Sequence, residues 1–333
     1  MPSDVSFFDG RFFQNEELAM LTLFSTAKPF EGHSAIIQRN ALKSWTLLHP
    51  DVEVILFGDD RGAAETAREL GIRHVPEVDR SAEGLKRLPS FFDAAQRMAR
   101  HDNLCYINCD IILTPDFIGA LSLLRAAQEQ FLMVGRRWDT GIAAPLPFER
   151  KDWAVDVRRQ AMEVNHQCAG TWIDYFVFPK GFYLGKLPPF VIGRVVWDHW
   201  LVWKARSSGI PVVDASDGVI AIHQIHDYSY HPYGSDGVWG DAVARRNEAL
   251  AGSRWHLATI DDATHLLGPA GLRPNPRRNI QAFQRFARTL WQTTRLGLLN
   301  WTRPLRHAIG LRKRSARAAG QSPSGESHLM AAK

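Results

Sequence analysis

The feature that most constrains this chain is the alternation, from residue 19 to residue 78, of short apolar runs with segments of helical period. Ala19 to Phe24 is an apolar run that breaks at Ser25-Thr26-Ala27-Lys28-Pro29. From His33 to Leu48 the residues Ile36, Ile37, Ala41, Trp45 and Leu48 recur at helical spacing, and Pro50 stops that helix. Val52 to Phe57 is a second strand pattern, closed by Gly58-Asp59-Asp60. A helix from Gly62 to Leu70 and a third strand from Ile72 to Val78 follow. Strand, helix, strand, helix, strand with right-handed crossovers predicts a mostly parallel sheet. The fold class expected is therefore α/β, a Rossmann-like central sheet flanked by helices.

Further along, a loop from Asp79 to Pro89 leads into a helix that Ser90 is placed to cap. Asn103 to Leu113 reads as one strand, apolar except at Asn108-Cys109-Asp110. A polar pair inside a buried strand is costly unless partners, water or an ion satisfy it. Asp116 to Gln128 reads as a helix and Phe131 to Val134 as a strand running into Gly135-Arg136-Arg137-Trp138-Asp139. Pro145 to Gln167 is charged and helical, Ile173 to Phe178 a strand, Pro188 to Arg194 a loop and Trp197 to Ala205 a helix. Ile210 to Val213 and Val219 to Ile222 are the last strands expected, ending in His223-Gln-Ile-His226-Asp227-Tyr228, and Gly234 to Gly240 reads as a loop.

Charge divides the chain. Residues 270–333 hold 13 Lys and Arg against the single acid Glu326, leaving 27 basic and 34 acidic residues elsewhere, so the net charge of +5 belongs to the tail. Within that tail Ile280, Phe283, Phe286, Leu290 and Trp291 recur at three- and four-residue steps among Arg278, Arg285, Arg288 and Arg295. This is the pattern of a basic amphipathic helix lying on an anionic membrane, or of a helix packed on its own domain with its arginines in water. No nucleic-acid-binding motif accompanies the arginines. The expected organisation is an extension over 1–17, a catalytic-type domain over 18–265, the basic helical segment over 266–314 and a disordered tail over 315–333. The start carries no leader pattern, and no uninterrupted apolar run of about 18 residues occurs, so a cytoplasmic protein, soluble or attached to the membrane surface, is expected. Cys105, Cys109 and Cys168 are too few for a disulfide framework or a four-ligand zinc site.

Ligands of open parallel sheets gather where strands end. Ser25, Thr26 and Lys28, then Gly58 to Asp60, Asn108 to Asp110 and Gly135 to Asp139, all close or interrupt apolar strands. No Gly-x-Gly-x-x-Gly follows the first strand and no Gly-Lys-Ser/Thr loop occurs, which disfavours dinucleotide-fold dehydrogenases and P-loop NTPases. A diphosphate bound without those loops calls for a carboxylate-held Mg²⁺ or Mn²⁺. Arg136 and Arg137 are suited to phosphate oxygens or an acceptor carboxylate, or else to surface ion pairs, while Lys86 and Arg87 lie in a loop within reach of such a ligand.

The order Ser-Thr-x-Lys-Pro, Phe-Gly-Asp, Tyr-Ile-Asn-x-Asp-Ile-Ile-Leu, Val-Gly-Arg-Arg-Trp-Asp, Asp-Tyr-Phe-Val-Phe, Gly-Arg-x-x-Trp-Asp-x-Trp-Leu and His-Gln-x-His-Asp-Tyr, over residues 18–230, resembles the nucleotide-diphospho-sugar transferases of GT-A fold, glycosyltransferase-2-like. The resemblance implies that Asp110 supplies the metal carboxylate of an Asp-x-Asp motif whose first position is here Asn108, a residue able to coordinate or to bond the ribose. It implies Asp198 as the base that deprotonates the acceptor hydroxyl, with Asp174 as the competing candidate. It implies that one of His223 and His226 returns to the metal, and that Asp59 holds the base or ribose. The implied donor is a nucleotide-sugar and the acceptor a saccharide or lipid-linked hydroxyl. A sugar-phosphate nucleotidyltransferase, and a non-catalytic protein of the same fold docking through its basic tail, remain as alternatives.

Overall fold

The computed structural model describes residues 20–226 and 234–277, together with residues 280, 283, 287, 290, 291 and 294. Two compact units meet in the chain at Gln284 and Arg285. The first begins β1 (Leu21–Thr26), α1 (Gly32–Thr46), β2 (Glu53–Phe57), α2 (Ala63–Leu70), β3 (Arg73–Val75), α3 (Leu88–Met98) and β4 (Asn103–Ile107). It continues with β5 (Ile111–Ile112), α4 (Asp116–Ala127), β6 (Leu132–Val134), β7 (Arg137–Thr140), α5 (Trp153–Val164), β8 (Tyr175–Pro179), α6 (Trp197–Ser207) and β9 (Val212–Asp214). β10 (Ala221–Gln224), α7 (Gly234–Gly240), α8 (Ala242–Ala251), β11 (His265–Gly268) and β12 (Gly271–Pro274) complete it. In the second unit Ala287, Leu290, Trp291 and Thr294 are helical.

The main sheet runs in the order β12, β11, β9, β6, β8, β4, β1, β2, β3. β3, β2, β1 and β4 are mutually parallel, as are β6, β9 and β11; β8 is antiparallel to both neighbours and β12 to β11. The α/β class with a mostly parallel sheet is therefore the one expected. The strand period of two sends alternate residues of β4 to opposite layers. Cys105 and Ile107 pack with Leu23, Trp45 and Val177, whereas Leu104 and Tyr106 pack with Phe24, Phe92, Phe178 and Trp197. Phe24 sits edge-on to Phe92 at 5.0 Å and to Phe178 at 6.2 Å. Each such fully buried ring contributes on the order of 1.5–3 kcal/mol of burial.

A second sheet of three strands, β5, β10 and β7, abuts the end of β4. It corrects two expectations. Asn103 to Leu113 is not one strand: β4 stops at Ile107 and β5 pairs instead with β10, so Asn108-Cys109-Asp110 is the hinge between two sheets. Arg137 to Thr140, expected only as a polar strand end, is itself a strand parallel to β10. Three smaller differences follow local chemistry. Ser90 does not cap α3, whose N-cap is Arg87; its hydroxyl accepts the Asp79 amide at 2.8 Å instead. Gly234–Gly240 is a helix rather than a loop. The β11–β12 hairpin joins the main sheet and so crosses the boundary expected between 265 and 266.

Candidate functional site

β1, β2 and β4 end together, Thr26 beside Phe57 and Tyr106 beside Phe24, so the loops after them share one edge of the sheet. α1 holds the hinge there. Trp45 Nε1 donates to the Ile111 carbonyl at 2.8 Å, and the Ser44 hydroxyl accepts the Leu113 amide. Asn40 bonds Gln224 at 2.9 Å, and Gln224 in turn donates to the Asp110 carbonyl at 3.1 Å. The backbone of Asp110 is thus fixed from a helix and from the second sheet before any ligand arrives.

Asp110 is the centre of a carboxylate–imidazole cluster. Its Oδ2 lies 3.0 Å from His226 Nε2 and 3.9 Å from His223 Nε2, while its Oδ1 is buried with no hydrogen-bond partner among the described residues. One ligand atom from each of the three residues falls within 4.8 Å of the others. The sequence led us to expect one histidine of the pair; both approach Asp110 without a helix, His223 from within β10 and His226 from just beyond its end at Gln224. Burial alone would raise the Asp110 carboxyl, but the hydrogen bond from His226, with the positive charge of Lys28, holds it well below the usual carboxylate range. An ionised, half-buried carboxylate with one oxygen unpartnered among the described residues, and two convergent imidazoles, is a donor set that fits a divalent cation.

Asp139 orients the cluster. His223 Nδ1 is 2.8 Å from Asp139 Oδ1, and because a carboxylate only accepts, Nδ1 carries a proton, which leaves Nε2, 3.9 Å from Asp110 Oδ2, as the ring nitrogen that a cation would take. Burial works against the Asp139 charge, yet the His223 bond and the Arg137 guanidinium bring its carboxyl down to about 2. Nothing in the sequence singled Asp139 out beyond its place at the end of an arginine pair. Its partner lies 84 residues away, joined only by the β7–β10 ladder.

The remaining expected site residues separate into those that face this cluster and those that brace it. Asn108 accepts from the Tyr106 hydroxyl at 3.0 Å and donates to Asp174 at 2.7 Å. Asp174 is buried and also takes Arg137 Nη1 at 3.1 Å, while Arg137 reaches Asp139 at 3.0 Å and stacks on Trp172 at 4.7 Å. The arginine is thereby enclosed by carboxylates and a ring rather than open to phosphate. Arg136 pairs with Asp261 at 2.5 Å. Ser25 donates to the Ile107 carbonyl at 2.5 Å, tying β1 to the end of β4, and Thr26 beside it is buried. Lys28 exchanges backbone bonds with Gln38. Asp59 pairs with Arg80, and Arg87 donates to the Arg80 carbonyl at 3.3 Å. Lys86 is buried, its Nζ 2.5 Å from Asp60 and 2.6 Å from the Ala27 carbonyl. Gly58 makes room for that lysine: it sits at φ +105°, and a Cβ there would come within 2.7 Å of the Lys86 stem.

Asp198 is the second residue of α6 and only partly exposed; its Oδ2 lies 3.9 Å from His199 Nε2, beyond hydrogen-bond reach. The turn before it is strained, since Val196 adopts φ +75°, a conformation a β-branched residue rarely takes. Trp197 packs edge-on to Tyr106 at 5.5 Å. Burial drives the Tyr106 hydroxyl well above its ordinary value, and the charges of Asp110, Asp174 and Asp198 push it further, so all three carboxylates act on one point.

No protein-family model and no curated protein matches the sequence. Among solved structures, glucosyl-3-phosphoglycerate synthase from Mycobacterium tuberculosis, in complex with Mg²⁺ and uridine diphosphate, overlaps 72% of this chain and 80% of its own at 15% identity and a TM-score of 0.44. The same synthase with Mn²⁺, UDP-glucose and phosphoglyceric acid overlaps equally at 13% identity. The 1–349 portion of TarS from S. aureus overlaps 62% of this chain and 60% of its own at 10% identity and a TM-score of 0.41. At this distance the likeness is one of general architecture and carries no argument about donor, metal or acceptor.

Proposed function

We propose that this chain is a glycosyltransferase that moves a sugar from a nucleotide-diphosphate donor to an acceptor hydroxyl. The observation that carries the reading is the half-buried Asp110 carboxylate, whose buried Oδ1 has no hydrogen-bond partner among the described residues, facing His223 and His226 where the parallel strands end. Those three residues would hold Mg²⁺ or Mn²⁺, which when bound neutralises charge developing on a diphosphate leaving group. Asp139 would keep His223 Nε2 turned to such a cation, and Lys28 adds positive charge near Asp110. Asn108, Asp174 and Arg137 form the wall that keeps the hinge in place. Asp198 accepts the proton of the attacking hydroxyl at its carboxylate, a role open to it because among the described residues no lysine or arginine pairs with it.

The acceptor in this reading is a saccharide or lipid-linked hydroxyl, and the basic tail attaches the enzyme to an anionic surface. Among the described residues no helix is long and apolar enough to cross a membrane. Ile280, Phe283, Leu290 and Trp291 are helical and exposed, whereas the arginines at 278, 285, 288 and 295 lie outside the described residues, as do residues 1–19 and 315–333. The test of the reading is turnover of a panel of nucleotide-sugars with Mn²⁺, with Mg²⁺ and with chelator. Asp198→Asn is expected to keep donor binding and lose transfer by on the order of 10²–10⁴-fold. Equal transfer by the variant would remove Asp198 from the reaction.

A further inference from the structure

Beyond Asp139, on the side away from His223, lies a second group of donor atoms that the transfer reaction does not use. Asp139, His166 and Cys168 each place one ligand atom within 4.8 Å of the others. Backbone pairing sets them there. Residues 166–168 run antiparallel to β7: the Asp139 amide donates to the His166 carbonyl at 3.2 Å, the Cys168 amide to the Arg137 carbonyl at 2.9 Å, and Trp138 opposes Gln167. Strand alternation then sends residues 139, 166 and 168 to one face of the ladder.

Asp139 Oδ2 is 3.2 Å from Cys168 Sγ and 3.6 Å from His166 Nδ1. Metal bonds of about 2.0–2.3 Å give tetrahedron edges of roughly 3.3–3.8 Å, close to these separations. Cys168 is buried and His166 exposed, so the group has a solvent path on one side and a fixed wall on the other. Thiolate, imidazole and carboxylate together suit zinc and disfavour the oxygen-seeking Mg²⁺ and Mn²⁺.

We propose that Asp139, His166 and Cys168 form a second metal site, for a zinc-class cation, linked to the Asp110 site through the two oxygens of Asp139. Binding replaces the Cys168 thiol proton, which leaves to solvent, and the fourth position stays open for water. A cation on Oδ2 draws Asp139 charge away from His223, so occupation of the second site weakens the first site's hold on its own cation. The inference stands whether or not the protein transfers sugars, because it rests on different donor atoms and shares only Asp139.

Cobalt reports both sites in the full-length, chelator-treated protein. Titration with Co²⁺ is expected to fill two tight equivalents and to raise a thiolate-to-cobalt charge-transfer band. His166→Ala, at an exposed side chain, and Cys168→Ser, nearly isosteric, should each lose the band and one equivalent while keeping the wild-type unfolding temperature. Asp110→Ala should lose the other equivalent and keep the band. Absence of the band in the wild type, or its survival in Cys168→Ser, overturns the second site; loss of the band alone in Asp110→Ala would show one shared site and overturn it too.

Discussion

Asp139 shows how a residue outside the Asp110, His223 and His226 group can shape it. It fixes the proton of His223 on Nδ1, and removing that constraint lets the imidazole rotate or change tautomer. Asp139→Asn keeps the size and is expected to weaken Mn²⁺ binding to the Asp110 site by about 10- to 100-fold, a range typical of outer-shell changes. Isothermal titration with Mn²⁺ checks this, and unchanged affinity would mean that the β7–β10 ladder alone orients His223. At the same scale, Glu83 pairs with Arg246 through two bonds, at 2.9 and 3.1 Å, and those bonds, with smaller help from Ser81 and the backbone, bring its carboxyl from 4.5 down to about 2. A lowered carboxylate stabilises the fold above its unfolded pKa and loses that contribution as pH falls through the folded one. The unfolding midpoints of wild type and Glu83→Gln should therefore differ steadily above about pH 5 and converge as pH approaches 2. A gap that widens on acidification would contradict that sign.

Among the elements, the clamp between α1 and the second sheet decides whether the hinge is rigid. Asn40 donates to Ala144 and Gln224 and accepts from the Leu146 amide, all within 3.0 Å. Asn40→Ala leaves Gln224 Oε1 buried without the Asn40 donor, so chemical denaturation should show a loss of about 1–3 kcal/mol. A loss under about 1 kcal/mol would show that water replaces the side chain. The strands and helices of the first half were legible because each element announces itself by period: Val52 to Phe57 has no other reading, nor has the stripe from Ile36 to Leu48. The break at Asn108 to Asp110 was legible only as a polar interruption. That β5 leaves the main sheet depends on β10, 110 residues later by the Ile112–Ile222 pairing, and no local pattern encodes it. β7 was hidden for the same reason, since Arg137-Trp138-Asp139 has strand form only beside β10. The metal candidates Asp110, His223 and His226 were readable by residue type and order, whereas the bracing roles of Asp174, Arg137 and Lys86 depend on burial that sequence does not display.

On the scale of the whole molecule, the chain joins an acidic body to a basic tail, with 13 Lys and Arg against one acid after residue 269. Deleting residues 285–333 should abolish sedimentation with anionic liposomes while leaving donor turnover in place, and retained sedimentation would assign membrane contact to the body. The body in turn depends on one arrangement, a mostly parallel sheet at whose strand ends a half-buried carboxylate meets His223 of a second sheet and His226 just beyond it. Equilibrium binding of a nucleotide-diphosphate sugar to wild type and to Asp110→Ala, each with Mn²⁺ and with chelator, tests that arrangement most directly. The account predicts metal-dependent binding by the wild type and a loss of at least about 100-fold, roughly 2.7 kcal/mol, in the variant. Binding that ignores both the metal and the substitution would contradict it.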